Sequence, residues 1–111
     1  MEQFLDYIKE SIEKANKEEE SLIAQDRKDE ANLMKIRANI YGICQTIYEV
    51  VSKTNSGEAL KEEYLKKLTV IPQNWKASYD KAKEHNDVEK ILIEEIKLDI
   101  IEEVKKNFQE Y

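Results

Sequence analysis

Residues 33–51 read LMKIRANIYGICQTIYEVV, and twelve of these nineteen positions are apolar. An amphipathic surface helix needs only one apolar stripe, built from residues spaced three and four apart. On a helical wheel the apolar positions here fill about 200° of the circumference, at about 100° per residue. A helix with so broad an apolar sector packs on two or more sides. We therefore expect it to be the central element, covered by other helices and by a second copy of the chain where these are too few.

The composition favours an all-α fold. The 111 residues include only two glycines and one proline, which is few for a protein of sheets and tight turns. Charged residues make up 38% and apolar residues 41%, a balance that suits helices with charged outer faces. A chain of this length is one domain, residues 1–111, by the usual size of domains. We predict an antiparallel helical bundle of four main helices, built from five helical segments of which one is short or broken at Pro72.

Helical periodicity places a first helix from about Glu2 to Ala24 and the central helix at about 28–54. One continuous helix through residue 52 is the alternative, and it would be about 75 Å long at 1.5 Å per residue. That length does not suit a compact chain of this size, so we predict a break near residues 24–28. Asp26 is the best candidate for the N-cap of the central helix.

Three breakers divide the second half of the chain. The segment SKTNSG, residues 52–57, ends the central helix and precedes a short helix from about Gly57 to Leu68. Pro72 starts the next helix, which runs to about Glu84 and ends at residues 85–86. The last helix is capped by residues 86–89 and runs to about Glu110.

The charge pattern and the apolar runs exclude several classes of partner. The net charge is −6, distributed as −5 over residues 1–30, +3 over residues 31–86 and −4 over residues 87–111. Binding to nucleic acid needs a concentrated basic face, so we expect no nucleic-acid partner. No apolar run approaches the about 18 residues of a membrane span, and the first ten residues do not resemble a signal peptide. With a single cysteine, Cys44, the chain is expected in a reducing compartment, the cytoplasm.

Neither catalysis nor metal binding is indicated. The only cysteine and the only histidine, Cys44 and His85, are too few for a zinc cluster. The Glu-x-x-His pairs of carboxylate-bridged metal sites are absent, since Ala82 stands three residues before His85. A Cys–His nucleophilic pair would require the fold to bring these two together. We interpret Cys44 as a small buried hydrophobic residue and His85 as a helix C-terminal residue, and we expect no enzymatic activity, cofactor or metal.

Two cations fall in apolar sectors, Arg37 in the central helix and Lys97 in the last helix. A buried cation without a partner is very unfavourable. Each therefore reaches solvent with its long stem or meets a carboxylate, and Glu103 is a candidate partner for Arg37.

Aromatic residues suggest a second candidate surface. Tyr41 and Tyr48 share one edge of the central helix, and Trp75 and Tyr79 share one face of the helix that begins at Pro72. If these faces meet, they form an aromatic wall suited to a peptide or a flat ligand. Packing within the core is the other interpretation.

Ile91 and Leu98 lie off the main apolar stripe of the last helix. The segment Val70–Ile71 would cover them within the chain. Left uncovered, they would form an exposed apolar strip, and such strips mark interfaces.

The sequence thus predicts a non-enzymatic helical interaction protein that binds itself, as a homodimer, or another protein through apolar helix faces. The alternative is a small-molecule or peptide sensor that uses the aromatic wall together with Arg37. The candidate interaction residues are Arg37, Tyr41, Tyr48, Trp75, Tyr79, Ile91 and Leu98.

Overall fold

A computed structural model describes residues 2–111, of which 88% are helical and none is in a strand. The helices are α1 (Glu2–Ala24), α2 (Lys28–Ser52), α3 (Gly57–Val70), α4 (Pro72–Glu84) and α5 (Val88–Gln109). The predicted all-α bundle is therefore confirmed. Ile71 keeps helical φ and ψ values of −56° and −44° between α3 and α4. These two segments form one helix interrupted at Pro72, so the bundle has four main helices.

The break between α1 and α2 lies where it was predicted but has a different construction. Asp26 adopts a left-handed conformation, with φ of 60°. The Arg27 N–H donates to the Leu22 carbonyl at 2.8 Å, and the Asp26 N–H donates to the Ile23 carbonyl at 3.0 Å. This pair of bonds is the Schellman motif, which ends a helix. The prediction of Asp26 as the N-cap of α2 was wrong, because Asp26 terminates α1 and Arg27 occupies the N-cap position.

The same motif ends α4. Asn86 is left-handed, with φ of 53°, and the Asp87 N–H donates to the Ala82 carbonyl at 3.0 Å. His85 occupies the C-cap position of α4, so the helix ends at residues 85–86 as predicted. The Asp87 side chain then caps α5 by accepting a hydrogen bond from the Lys90 N–H at 3.3 Å. Short connections of this kind fold α4 back on α5, and α1 on α2, as antiparallel hairpins.

The two hairpins pack with α2 beside α5. The C-terminal halves of α2 and α5 share one hydrophobic core, and the first turns of both helices line a common groove. These two helices therefore run parallel, whereas pairing within each hairpin is antiparallel. In this arrangement both hairpin tips point away from the core in the same direction, and α3 closes the opposite end.

An aromatic cluster of Phe4, Tyr48, Tyr64 and Phe108 holds four helices together at the closed end. Their ring centroids lie between 4.8 and 6.3 Å apart, mostly in edge-to-face geometry. Tyr64 is fully buried, and its hydroxyl donates to the Cys44 carbonyl of α2 at 2.8 Å. Edge-to-face pairs contribute about 0.5–1.5 kcal/mol each beyond the area that they bury. This cluster ties α3 to α1, α2 and α5.

Burial is sparse toward the hairpin tips. The buried residues there are Ala15, Leu22, Ala31, Ala38, Ala82 and Glu94. Most are small, so few side chains fill the space between the hairpins. The radius of gyration is 15.3 Å, against about 13 Å for a compact domain of this length. The molecule is therefore elongated, with extents of 44 × 35 × 21 Å.

Other helices of the same chain cover most of the broad apolar sector of α2. Ala38, Ile40, Tyr41, Cys44, Tyr48 and Val51 are buried, and Leu33, Met34, Ile36 and Ile47 are partly buried. Ile43 and Val50, seven residues apart, stay 38% and 58% exposed. Helices α1, α3 and α5 thus cover most of α2 and leave one strip open.

The two glycines provide a paired test of the backbone. Gly57 has φ of 57°, a region that L-residues rarely adopt. Gly42 lies inside α2, and apart from its chain neighbours and the adjacent backbone of α2 no atom lies within 4 Å of the position that a β-methyl group would occupy. We expect Gly57→Ala to lower the free energy of unfolding by about 1 kcal/mol and Gly42→Ala to raise it by about 0.5–1 kcal/mol. Denaturant unfolding at a concentration where the chain is monomeric measures both. Changes of the same sign in the two variants would contradict these backbone assignments.

Candidate functional site

A groove of about 410 Å³ lies between α1, α2 and α5 and is here called the inner groove. Its lining residues are Tyr7, Ser11, Lys14, Ala15, Glu18, Met34, Arg37, Tyr41 and Glu103. The groove begins where the core ends, at the aromatic ring of Tyr41. Three different helices supply its polar groups, so the packing of the hairpins fixes their relative positions.

A carboxylate shared by two tyrosines closes one wall of the inner groove. The hydroxyls of Tyr7 and Tyr41 each donate to the same Oε2 atom of Glu103, both at 2.5 Å. Such short distances are typical of charge-assisted bonds to a carboxylate. The two rings also meet edge to face, with centroids 6.4 Å apart. Glu103 therefore links α5 to both helices of the first hairpin.

Burial and the shared carboxylate keep both phenols protonated. Burial contributes most, followed by the hydrogen bond to Glu103 and its negative charge, and together they raise the pKa of Tyr41 to about 12. The Arg37 guanidinium opposes this shift in part. The same causes raise the pKa of Tyr7 well above its ordinary value. At neutral pH the pair therefore acts as two hydrogen-bond donors.

Arg37 lies in the inner groove beside the Tyr41 hydroxyl, and it is partly buried. The predicted partner, Glu103, lines the same groove but accepts hydrogen bonds from the two tyrosines instead. Among the side chains of residues 3–111 no ion pair joins Arg37 or Lys14 to a carboxylate. Both cations thus remain available to an anion that enters the groove.

A shallower groove lies on the outer face of the α1–α2 hairpin, here called the outer groove. Its lining residues are Ile12, Asn16, Ala38, Asn39, Gly42, Ile43, Thr46 and Ile47. None of these residues is charged, although 38% of the chain is. Ile23 of α1 and Val50 of α2, each more than half exposed, are in helical phase with Ile12 and Ile43 and extend the apolar surface along the hairpin.

The four aromatic residues of the predicted wall divide into two groups. Tyr41 and Tyr48 are 4% and 5% exposed and belong to the core, although Tyr41 presents its hydroxyl to the inner groove. Trp75 and Tyr79 are partly buried on α4 and face α5, where the Tyr79 hydroxyl donates to Glu95 at 3.2 Å. No ring contact joins one group to the other in the described part of the chain. A single wall of these four side chains is not formed.

Lys97 meets both a carboxylate and an aromatic ring. Its Nζ atom lies 3.2 Å from the carboxylate of Glu94, one turn earlier in α5, and 4.8 Å from the ring centroid of Trp75. Glu94 is only 5% exposed. Of the two alternatives for this cation, the carboxylate contact is the one that forms, and the cation–π contact joins α5 to α4.

The remaining sequence candidates are placed as follows. Ile91 and Leu98 are partly buried, so α5 presents neither a fully covered nor a fully exposed strip at these positions. Cys44 has no solvent exposure, as expected for a small hydrophobic residue, and burial raises its pKa to about 12. His85 is exposed at the tip of the second hairpin.

Sequence reasoning missed two features. Tyr7 was not singled out, although it stands one turn after Phe4 in the amphipathic pattern of α1. The exposed pair Val88 and Leu92 was also missed, because the exposure of an apolar residue on α5 depends on how that helix packs. Spacing along one helix does not reveal which neighbour faces it.

No family model, curated protein or solved structure matches the chain, so its own geometry has to carry the interpretation. Among residues 2–111 no helix has the length and apolar character needed to cross a membrane. Among the side chains of residues 3–111, no group of three or more His, Cys, Asp or Glu is arranged to hold a metal ion.

The shared carboxylate can be tested with a double-mutant cycle. We expect Glu103→Ala to lower the free energy of unfolding by about 1–2 kcal/mol, because two phenol donors lose a charged acceptor. Coupling to Tyr41→Phe should be about 1 kcal/mol, and coupling to Tyr7→Phe should be smaller because that bond is exposed.

Glu102→Ala is the matched control, since Glu102 is largely exposed and pairs only with Lys105 at 3.6 Å. Its effect should stay within about 0.5 kcal/mol. Equal effects of the Glu102 and Glu103 variants in denaturant unfolding would show that the carboxylate does not link the helices.

Proposed function

We propose that the chain is a non-enzymatic helical interaction protein that associates with a second copy of itself through the outer groove. The observation that carries the proposal is the strip of α2 that no other helix covers. Ile43 and Val50 stay exposed on the helix with the broadest apolar sector in the chain. Exposed apolar surface of this kind is typical of interaction sites.

The absence of charged residues in the outer groove favours self-association. Each copy carries a net charge of −6, so two copies repel one another through most of their surfaces. An interface with two-fold symmetry sets identical patches against each other. The uncharged lining of the outer groove avoids like-charge contacts in that arrangement. A hairpin about 35 Å long and two helices wide also offers roughly the 800 Å² per partner of a standard interface.

The state of the single thiol supports a non-enzymatic role. A cysteine nucleophile acts as the thiolate and has to be accessible. Cys44 is fully buried, and its pKa is raised to about 12, so it remains a protonated core residue at neutral pH. The exposed His85 lies at a hairpin tip, whereas Cys44 belongs to the core cluster.

Molar mass measured by light scattering with size exclusion tests the proposal. We expect the mass to approach twice 13.1 kDa as the protein concentration rises. Ile43→Ser with Val50→Ser should return it to 13.1 kDa, because the double variant removes the exposed apolar side chains of the outer groove.

Val88→Ser with Leu92→Ser is the matched control, since it removes two exposed apolar residues at 77% and 43% exposure from another surface. This variant should dimerise like the wild type. A wild-type mass of 13.1 kDa at every concentration would refute self-association, and equal dimerisation of both double variants would refute the outer groove as its site.

A second candidate function is the sensing of a small anion in the inner groove. Arg37 and Lys14 line a groove of about 410 Å³, in which neither forms an ion pair with the carboxylates of Glu18 and Glu103 that also line it, and the Tyr41 hydroxyl lies beside Arg37. A guanidinium near a hydroxyl suits a carboxylate or phosphate group. Arg37 thus keeps the sensor role that the sequence suggested, although the predicted aromatic wall does not surround it.

A thermal-shift series with inorganic phosphate and small dicarboxylates tests this candidate. A ligand present at a free concentration of 100 times its Kd adds about 2.7 kcal/mol to the free energy of unfolding, so the melting temperature should rise with anion concentration. Excluded salts stabilise any protein, and the informative quantity is therefore the difference between wild type and Arg37→Gln. Lys35→Gln, on the exposed side of α2, should behave like the wild type. Identical curves for all three proteins would refute an anion site at Arg37.

A further inference from the structure

A third groove opens between the two hairpin tips, here called the tip groove, with a volume of about 430 Å³. The first turns of α2 and α5 form its walls, since these helices lie side by side and run in the same direction. The large buried side chains lie toward the closed end, and the space between the tips is open in the described part of the chain.

The floor of the tip groove is apolar. Leu33 of α2 and Ile93 of α5 are partly buried in it. Val88 and Leu92, one turn apart on α5, are 77% and 43% exposed. Val88 is the most exposed large apolar residue in the described chain. An apolar floor between two helix walls is the kind of groove into which an amphipathic helix lays its apolar face.

The rim of the tip groove is acidic. Asp29 and Glu30 line it from α2, Glu89 lines it from α5, and no basic residue is part of the lining. Glu30 is paired with Arg27 in the hairpin connection, with both side chains half exposed. No ion pair of the described residues engages Asp29 or Glu89. These two carboxylates lie on opposite walls, so they flank whatever occupies the floor.

We infer that the tip groove binds a basic amphipathic helix of a partner protein. An apolar stripe on that helix would cover Val88 and Leu92, and Lys or Arg side chains beside the stripe would reach Asp29 and Glu89. Opposite charges across an interface speed association and exclude acidic partners. The inference shares its class with the proposed function but depends on another surface, so either one stands if the other fails.

Fluorescence anisotropy with labelled synthetic peptides tests the inference. The probe is an amphipathic helical peptide of leucine and lysine, with leucines spaced three and four residues apart. Its comparison peptide carries glutamate at every lysine position. We expect the lysine peptide to bind at least tenfold more tightly than the glutamate peptide, and its affinity to fall as salt is added.

Substitutions locate the site. Asp29→Lys with Glu89→Lys should weaken binding of the lysine peptide about tenfold, and Val88→Ser with Leu92→Ser should weaken it by a similar factor.

Glu58→Lys is the charge control, because the Glu58 side chain is 86% exposed on α3. Ile43→Ser with Val50→Ser is the apolar control, and both controls should bind like the wild type. Circular dichroism verifies that each variant remains helical.

Three results would overturn the inference: no binding of the lysine peptide, equal binding of the glutamate peptide, or unchanged binding by both tip-groove variants. Loss of binding in the Ile43/Val50 variant, with the tip-groove variants unaffected, would place the peptide in the outer groove instead. An Ile43/Val50 variant that no longer dimerises but still binds the lysine peptide would support the tip groove as the peptide site.

Discussion

The edge-to-face contacts of Phe4, Tyr48, Tyr64 and Phe108 are the constraint on which the architecture depends. These rings come from four helices and meet at one end of the molecule. Truncating a buried aromatic side chain typically costs about 3–5 kcal/mol, a large part of the stability of a small domain. The cluster therefore fixes the relative positions of the start of α1 and the ends of α2 and α5, and the rest of each helix extends from it.

Concentrating the large side chains at one end leaves the other end open. Toward the tips the buried positions are mostly alanines, which do not fill the space between two helical hairpins. Glu103 marks the transition, because it joins α5 to α1 and α2 through tyrosine hydroxyls at the edge of the core. Beyond that point each hairpin is held mainly by its own two helices. The exposed apolar residues of the outer and tip grooves follow from this distribution.

The fold could be predicted largely because its signals are local. The apolar sector of residues 33–51, the start of α4 at Pro72 and the end of α4 at residues 85–86 all depend on side chains within one or two turns. Asp26 misled the prediction because Asp accepts a hydrogen bond at an N-cap and also tolerates the left-handed conformation at a helix end. Sequence alone does not distinguish these two roles.

The candidate sites were less predictable because they depend on contacts between distant residues. Glu103 and Tyr41 are 62 positions apart, and this carboxylate accepts from two phenols but forms no ion pair with Arg37. Tyr48 and Trp75 both have helical spacing that fits a wall, but the packing of α2 directs Tyr48 into the core while Trp75 meets Lys97. The acidic and apolar parts of the tip groove come from α2 and α5, and only the parallel packing of these helices unites them.

Hydrogen exchange of the backbone amides, followed by mass spectrometry on the monomeric chain, tests the central claim most directly. Protection reports the free energy of local opening. The slowest exchange is expected in residues 44–51, 60–68 and 100–108, where the helices meet at the aromatic cluster. Residues 20–33 and 82–93, at the tips, should exchange much faster. Equal protection of the tips and the closed end would contradict an architecture held together at one end.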